Sequence, residues 1–145
     1  MAAHSEAGEL CELCTRDGGE VLHYAEKYRV VLVADALYPG FCRVIWNAHV
    51  KEMTDLASAD RSMLMEAVWV VETAVRNVMQ PDKINLACFG NMTPHLHWHV
   101  IPRYLDDAHF PHPVWAEVQR TSPQASLSAR QALLAALRSA ISAAL

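Results

Sequence analysis

No stretch of this sequence has the length of a membrane helix or the pattern of a secretory signal. The longest strongly apolar runs, Val30 to Ala34 and Ala67 to Val71, are far shorter than the ~20 residues that cross a bilayer. The first ten residues carry acids and lack the basic segment followed by an apolar run that marks a signal peptide. We therefore expect a soluble, cytoplasmic protein without a membrane partner.

Basic residues are also too scattered to form a nucleic-acid surface. The formal net charge is −4, and the sequence contains no cluster of lysine or arginine. Proteins that bind a nucleic-acid backbone usually present such a cluster on one face. The composition therefore argues against a nucleic-acid partner, but it is compatible with a small pocket that binds a single phosphate group.

The length and the apolar content fit one globular domain. The chain has 145 residues, of which 52% are hydrophobic, and this is enough to bury a substantial core. We predict a single domain over residues 1–145, with its core at about 11–105 and a C-terminal loop and helix at 106–145.

Residues typical of β-strands are concentrated in four segments. These β-branched and aromatic segments are residues 20–34, 41–47, 83–89 and 95–103. Pro39 and Gly40 provide a turn before the second segment. Because the sequence shows no internal repeat and no regular alternation of strands and helices, we predict an α+β fold with an antiparallel sheet.

Two helices are predicted from apolar spacing. The long central helix has Ser58 as its N-cap and ends before Pro81. Its apolar residues recur with a period near 3.6, at Met63, Ala67, Val70, Val71, Ala74, Val75 and Val78. The C-terminal helix is predicted from Leu127, Leu133, Leu134, Leu137 and Ile141, with Ser126 or Ser128 as its N-cap.

Three histidines alternate with apolar residues in the last predicted strand. Side chains of a strand alternate between its two faces, so His95, His97 and His99 are expected on one face. The intervening Leu96 and Trp98 are then expected to point into the core. A single surface histidine usually has no function, but three in strict alternation favour a site.

A row of imidazoles has a definite chemical use. An imidazole with an unperturbed pKa of about 6.5 is largely neutral at physiological pH. Its free ring nitrogen can attack phosphorus if the proton of the other nitrogen is held in place, and a neighbouring histidine can assist the leaving group.

The segment from His95 to Ile101 resembles the signature of the histidine triad family, H-φ-H-φ-H-φ-φ, where φ is apolar. Upstream, Pro39-Gly40 followed by an apolar strand, Asn47 to Val50 and Met53 to Leu56 are similar to the conserved block that precedes the triad in that family. The likeness covers about residues 11–104.

This resemblance implies a nucleotide hydrolase or transferase. His97, the middle histidine, would attack the α-phosphate of a nucleotide conjugate of the dinucleoside polyphosphate, nucleoside phosphoramidate or acyl-adenylate type. His99 would contact phosphate oxygens and help the leaving group. By the same resemblance, Asp35 would hold the ribose hydroxyls and Gly90-Asn91 would cradle the α-phosphate. Met92 departs from the family, which usually has serine or threonine at this position.

Cys11 and Cys14 form a C-x-x-C pair in a polar segment. Such a pair binds zinc only when two further ligands complete the site. Some members of the histidine triad family that have this N-terminal pair complete a zinc site with two histidines. The resemblance implies that His49 and His95 are the corresponding ligands in this chain. Two cysteines and two histidines would make a closed, structural zinc site. The alternative is a pair of reduced thiols or a redox pair.

Two other functions fit the same residues. The three histidines could bind a catalytic metal, although the strand contains no carboxylate, or the chain could be a zinc-stabilised nucleotide-binding module without turnover. The family resemblance also implies a homodimer. Trp115 is a candidate for stacking on a base, whereas Trp98 has the parity of a core residue. The remaining acid and histidine cluster is expected to be solvated loop without a role: Asp106, Asp107, His109 and His112.

Overall fold

The computed structural model describes residues 10–145, so the predicted absence of a secretory signal concerns a segment that lies almost wholly outside the described residues. The strands are β1 (Glu20–Tyr24), β2 (Tyr28–Leu32), β3 (Cys42–Trp46), β4 (Lys83–Ala87) and β5 (His97–Arg103). The α-helices are α1 (Glu12–Thr15), α2 (Ser58–Met79), α3 (Gln124–Gln131) and α4 (Leu134–Ala144), and a 3-10 turn spans Met53–Asp55.

The five strands form one antiparallel sheet in the order β1-β2-β3-β5-β4. This confirms the predicted α+β fold with an antiparallel sheet. The strand segments predicted within residues 20–34 are β1 and β2, which form a hairpin. Gly40, in the turn before β3, has a φ of +93°, a left-handed conformation that glycine adopts most easily.

The two faces of the sheet have different partners. Val30, Cys42, Val44 and Val100 belong to the main core together with residues of α2 and α4. Alternation along the strands then places Arg43, Ile45, His97 and His99 on the opposite face. That face has no long helix against it; it meets the short N-terminal segment and the loop after β5.

The central helix α2 was predicted correctly, with corrections at its start and in its buried stripe. Ser58 is the first helical residue, and the N-cap is Ala57, which makes no side-chain capping bond. The fully buried residues are Leu64, Ala67, Val68, Val71, Ala74, Val75 and Met79. Met63 is instead exposed, and Val70 and Val78 are only partly buried. The face of the helix that contacts the core includes Leu64, Val68 and Met79 in their place.

The predicted C-terminal helix is two helices with a break at Ala132 and Leu133. The expectation that Ser126 or Ser128 caps it was wrong, since α3 begins at Gln124 after Pro123. Ser126 lies inside α3 and donates to Asp106 at 2.8 Å. The apolar residues Leu134, Leu137 and Ile141 of α4 are buried against the core, as the spacing predicted.

The last strand begins at His97 rather than at the predicted residue 95. Upstream, the backbone is held by other bonds, because the N–H of His95 donates to Thr93 at 2.8 Å and that of Leu96 donates to Val50 at 2.8 Å. His95 is therefore bent away from the strand. Within residues 10–145, no helix combines the length and apolarity needed to cross a membrane.

Candidate active site and metal centre

His97 and His99 lie side by side on the face of the sheet opposite the long helices. Both are buried, at 7% and 6% exposure, and their ring centroids are 4.8 Å apart in an edge-to-face arrangement. Strand β5 positions them, since its other face is anchored in the main core through Val100. The two imidazoles therefore have a fixed mutual geometry.

One hydrogen bond defines the protonation of His97. Its Nδ1 lies 2.5 Å from the backbone carbonyl oxygen of His95. A carbonyl can only accept, so Nδ1 carries the proton and Nε2 keeps its lone pair in the neutral ring. This is the arrangement that a nucleophilic imidazole requires.

Burial keeps both imidazoles neutral. It lowers the pKa of His97, against the opposing hydrogen bond to the carbonyl of His95. For His99, burial first, and then the proximity of His97 and of the charged Arg43, lower the pKa to about 3. Among residues 10–145, His99 Nδ1 is also buried without a hydrogen-bond partner. His99 is thus a neutral ring with one nitrogen available for a hydrogen bond to a ligand.

A pocket of about 400 Å³ opens over the two histidines. The residues that line it are Arg43, Phe89, Gly90, Asn91, Met92, Thr93, His97, His99 and Trp115. None of them is a carboxylate, and Arg43 supplies a permanent positive charge. Such a lining favours an anionic ligand.

The loop between β4 and β5 forms one wall of this pocket. The structure brings Asn91 to the pocket with His97 and His99, as its predicted phosphate contact requires. Gly90 has a φ of +85°, and this turn directs the following residues toward the histidines. Met92 is 95% exposed, whereas Thr93 supplies a hydroxyl to the pocket lining. Sequence reasoning missed Thr93 because it considered only the position of Met92.

Two aromatic rings stand at the mouth of the pocket. Trp115 lies 5.1 Å from His99 and 4.9 Å from Phe89, measured between ring centroids. Both Trp115 and Phe89 are more than half exposed. The candidate role of Trp115 in stacking is compatible with this position. Trp98 packs against the main core, as its parity predicted.

Arg43 is another residue of the pocket that the sequence did not reveal. It is the Cα partner of His99 in the pairing of β3 with β5. Its guanidinium also lies over the ring of Phe41, with Cζ 5.9 Å from the centroid. No signal in the sequence separates Arg43 from Arg29, which is likewise the one arginine of an apolar strand.

The four predicted metal ligands converge at one place. The ligand atoms of Cys11, Cys14, His49 and His95 all lie within 4.8 Å of one another. His49 Nδ1 and His95 Nδ1 are 3.3 Å apart, and the Sγ atoms of Cys11 and Cys14 are each 3.4 Å from His95 Nδ1. Tetrahedral zinc separates two nitrogen ligands by about 3.3 Å and nitrogen from sulfur by about 3.5 Å. The donor set therefore fits zinc.

The second nitrogen of His95 is held as a metal-ligating histidine requires. Nε2 lies 2.5 Å from the carbonyl oxygen of Trp46 and donates to it, which directs Nδ1 at the cysteines and His49. His95 thus joins the cysteine cluster and not the pocket. The alternative in which all three histidines bind one catalytic metal is not supported by this geometry.

Arg29 fixes the cysteine-bearing segment to the open face of the sheet. Its guanidinium donates to the carbonyl oxygens of Leu13, Arg16 and Asp17 and to the side chain of Asn47, at 2.7 to 3.1 Å. Arg29 is itself only 4% exposed. The hydrogen bonds of Arg29 therefore position the backbone around Cys14 independently of the proposed metal ion.

Asp35 is the predicted site residue that the structure does not bring to the pocket. It lines a separate cavity with Glu20 and Arg138. Its Oδ1 accepts a hydrogen bond from the backbone N–H of Leu37 at 3.0 Å, which stabilises its own turn. The predicted contact with ribose hydroxyls stays a prediction.

Two members of the acid and histidine cluster after β5 are buried, so the expectation of solvated loop was wrong for Asp107 and His109. Asp107 is fully buried and forms an ion pair with Arg103 at 2.8 Å. It also accepts backbone bonds from Tyr104, His109 and Phe110. Burial alone would raise the pKa of Asp107, but these donors lower it to about 2.

His109 is buried in the same network, where its Nδ1 lies 2.5 Å from the hydroxyl of Tyr38. Asp106 pairs with Arg130 instead, and His112 is exposed. In residues 10–145 the cysteine cluster is the one group of side chains that could hold a metal. The Asp107 network fixes the loop that carries Trp115.

Comparison with known proteins identifies relatives of this arrangement. The family model described as HIT domain matches residues 17–106. A protein named AP-4-A phosphorylase from Mycobacterium tuberculosis is 31% identical over 78 residues. That match covers 50% of this chain, and the chain spans only 40% of the relative's length.

Solved structures share the fold over most of the chain. A histidine triad protein from Bradyrhizobium japonicum superposes with a TM-score of 0.71 at 29% identity, covering 86% of this chain and 92% of that one. A zinc-bound histidine triad family protein from Mycobacterium smegmatis has a TM-score of 0.57 at 19% identity, with coverage of 92% and 99%. The second likeness concerns the fold alone.

Proposed function

This chain belongs to the HIT domain family, and we propose that it is a nucleotide hydrolase or transferase in which His97 attacks an α-phosphate. The substrate is a nucleotide joined through that phosphate to a leaving group, as in a dinucleoside polyphosphate, a nucleoside phosphoramidate or an acyl-adenylate. The observation that carries the proposal is the bond from His97 Nδ1 to the carbonyl of His95, because it leaves Nε2 free beside an anion pocket.

In the first step, Nε2 of His97 forms a bond to the α-phosphorus, and the bond from phosphorus to the leaving group breaks. The leaving group departs with the electron pair, and the product is a nucleotidyl-histidine. The carbonyl of His95 stabilises the positive charge that develops on the ring of His97. In the second step, water or inorganic phosphate attacks the same phosphorus and releases free His97.

His99 is proposed to bind phosphate and serve the leaving group. Its buried Nδ1 lacks a partner in the free protein, and its pKa of about 3 keeps the ring neutral there. An anionic phosphate beside the ring would raise that pKa, since an opposite charge favours the protonated form. The substrate itself would thus convert His99 into a better donor.

Asn91 and the loop that carries it are proposed to hold the α-phosphate. Asn91 and Thr93 line the pocket together with His97. An amide, a hydroxyl and backbone N–H groups can donate to phosphate oxygens as negative charge moves onto them during attack.

Cys11, Cys14, His49 and His95 are proposed to bind one structural zinc ion. The ligand distances described above support this, as does the bond from His95 to the carbonyl of Trp46. Zinc would supply a cross-link between the N-terminal segment and the sheet, without an open position for water. The backbone carbonyl of His95 also accepts the hydrogen bond from His97 Nδ1. His95 therefore connects the proposed zinc site to the nucleophile.

The test is a panel of adenylated compounds assayed for release of AMP, and of ADP when phosphate is added. We expect turnover by the wild type and a loss of at least about 10³-fold in His97→Gln, because the bond-forming atom is gone. Asn77→Asp, an exposed change on α2, is the control. Binding of these compounds without any turnover would instead support the nucleotide-binding module.

The predicted homodimer, the cytoplasmic location and the single domain over residues 1–145 stay predictions. So does the exclusion of nucleic-acid and membrane partners.

A further inference from the structure

Arg43 places a positive charge on the sheet face that carries the histidines. It lies in β3 opposite His99, its Cα partner in β5, and facing residues of an antiparallel pair project to the same side. Its neighbours Cys42 and Val44 point the other way into the main core. The guanidinium therefore borders the pocket, which Arg43 lines together with His97 and His99.

Most donors of this guanidinium have no hydrogen-bond partner among residues 10–145. Nη1 of Arg43 donates to the carbonyl of Gly18 at 3.0 Å, whereas Nε is buried and has no hydrogen-bond partner. The ion pairs found among residues 10–145 join other side chains. The Glu12 carboxylate acts on Arg43 without forming an ion pair with it. Arginine keeps its charge and has five N–H donors, so the charge and several donors are left for a ligand.

Arg29 shows what a purely structural arginine looks like on the same face. Its Nε, Nη1 and Nη2 all donate to backbone or side-chain oxygens of the protein. Arg29 is 4% exposed and does not line the pocket. Arg43 differs in both respects, because its donors are largely unused and it faces an open cavity.

We propose that Arg43 binds a negatively charged group at the start of the leaving portion of the substrate, an inference that rests on the proposed function. The planar guanidinium matches two oxygens of a phosphate group. The enzyme would then select nucleotide conjugates whose leaving group begins with a phosphate over those whose leaving group is uncharged.

The register of the sheet places this group on the leaving side. Arg43 pairs with His99, whereas Ile45 pairs with His97. Two residues along a strand correspond to about 7 Å, so the Cα of Arg43 is displaced by that distance from the residue that faces His97. The Cζ of Arg43 lies 5.9 Å from the ring of Phe41, and that ring lies 5.6 Å from the ring of His99, so the guanidinium lies on the side of His99. His99 is the residue proposed to serve the leaving group. An anion held by Arg43 therefore lies beyond the α-phosphate and next to His99.

The experiment compares two AMP conjugates in the full-length wild type, Arg43→Met and Arg43→Lys. One conjugate is a dinucleoside polyphosphate, and the other is an adenosine phosphoramidate with an uncharged amine. We expect Arg43→Met to lower kcat/KM for the polyphosphate by about 10- to 100-fold, the value of a charge-assisted bond, and for the phosphoramidate by less than about 3-fold. Arg43→Lys should fall between wild type and Arg43→Met on the polyphosphate.

Arg76→Met, which removes an exposed arginine of α2 remote from the pocket, should match the wild type on both substrates. Melting curves check that each variant is folded, and Arg43→Lys keeps the charge if Arg43→Met is unstable. Equal losses on both substrates, or no loss on either, would overturn the inference.

A binding measurement separates this inference from the proposed function. Calorimetry with ADP and with AMP needs no turnover. We expect the wild type to bind ADP more tightly than AMP, and Arg43→Met to lose that preference. A preference that survives in Arg43→Met would refute the role of Arg43 while turnover by the wild type still upheld the proposed function. If the wild type bound neither nucleotide, the inference about Arg43 would fail, and the proposed function would fail with it only if the wild type also turned over neither conjugate.

Discussion

Two segments without long regular structure flank the candidate pocket, and different chemistry fixes each. The N-terminal segment carries Cys11 and Cys14 and meets the sheet through Arg29 and the cluster with His49 and His95. The loop after β5 carries Trp115 and meets the sheet through the buried pair of Arg103 and Asp107. One segment is held by potential metal ligands and the other by an ion pair within the protein.

Because the two segments are fixed by different interactions, different treatments should detach each of them from the sheet. A site built from thiolates and imidazoles depends on a metal and on the deprotonation of its ligands. The Arg103–Asp107 pair needs nothing from solution, and its donors keep the pKa of Asp107 at about 2. The N-terminal segment should therefore respond to chelators, whereas the loop should respond only to mutation or strong acid.

Loss of the metal site should have the largest effect. We expect Cys14→Ser, or a strong chelator, to remove one zinc per chain and to lower the free energy of unfolding by more than about 5 kcal/mol, because metal binding contributes directly to folding. Zinc content by atomic emission and melting by circular dichroism measure this. Proteolysis should become fastest near residues 10–18.

Cys88→Ala is the matched control, since Cys88 lies outside the cluster and should leave one zinc bound. Wild-type protein that contained no zinc after purification with ample zinc, or a Cys14→Ser variant that retained its zinc, would contradict the claim that zinc fixes the N-terminal segment.

Breaking the ion pair should have the next largest effect. Asp107→Asn leaves the buried Arg103 without its counter-charge, and removing one partner of a buried pair costs about 3 to 5 kcal/mol. We expect a loss of this size in urea unfolding at pH 7, with zinc content unchanged. Glu66→Gln, which changes an exposed carboxylate of α2, is the control. A loss below about 1 kcal/mol would contradict the claim that the Arg103–Asp107 pair stabilises the loop after β5.

The same pair predicts a dependence on pH. The pKa of Asp107 is lowered in the folded protein to about 2, from an unfolded value of about 3.9. Its stabilising contribution is therefore complete above about pH 4 and is lost as the pH falls toward 2. The difference in stability between wild type and Asp107→Asn should shrink over that window. A difference that already shrank between pH 7 and 5 would refute this assignment.

The smallest effect on stability is expected at Trp115. Trp115→Ala removes an exposed ring, so the free energy of unfolding should change by less than about 1 kcal/mol. We expect KM for adenylated substrates to rise about 10-fold if the ring stacks on a base. Phe89→Leu tests the neighbouring ring. An unchanged KM in Trp115→Ala would contradict a contact between Trp115 and the base of the substrate.

The predictable parts of the site were those encoded by local spacing. The alternation of His95, His97 and His99, the C-x-x-C pair and the periodicity of α2 are patterns that a chain shows without its fold. The grouping of Cys11, Cys14, His49 and His95 came from the family resemblance, and the structure brings these four residues together.

What spacing could not reveal depends on contacts between distant segments. Arg43 became part of the pocket only through the pairing of β3 with β5. Asp107 looked like a solvated acid because its partner Arg103 and its backbone donors are visible only in the folded loop. Asp35 was assigned by resemblance, and in the structure its carboxylate accepts a hydrogen bond from the backbone N–H of Leu37 in its own turn.

The central claim is that His97 becomes covalently nucleotidylated during turnover. The direct measurement is intact-protein and peptide mass spectrometry of wild type, His97→Gln and Cys88→Ala, quenched within milliseconds after mixing with a reactive adenylated compound. The account predicts one added AMP on the peptide containing His97 in the wild type and in Cys88→Ala, and none in His97→Gln. An adduct on another residue, or turnover that persists undiminished in His97→Gln, would contradict it.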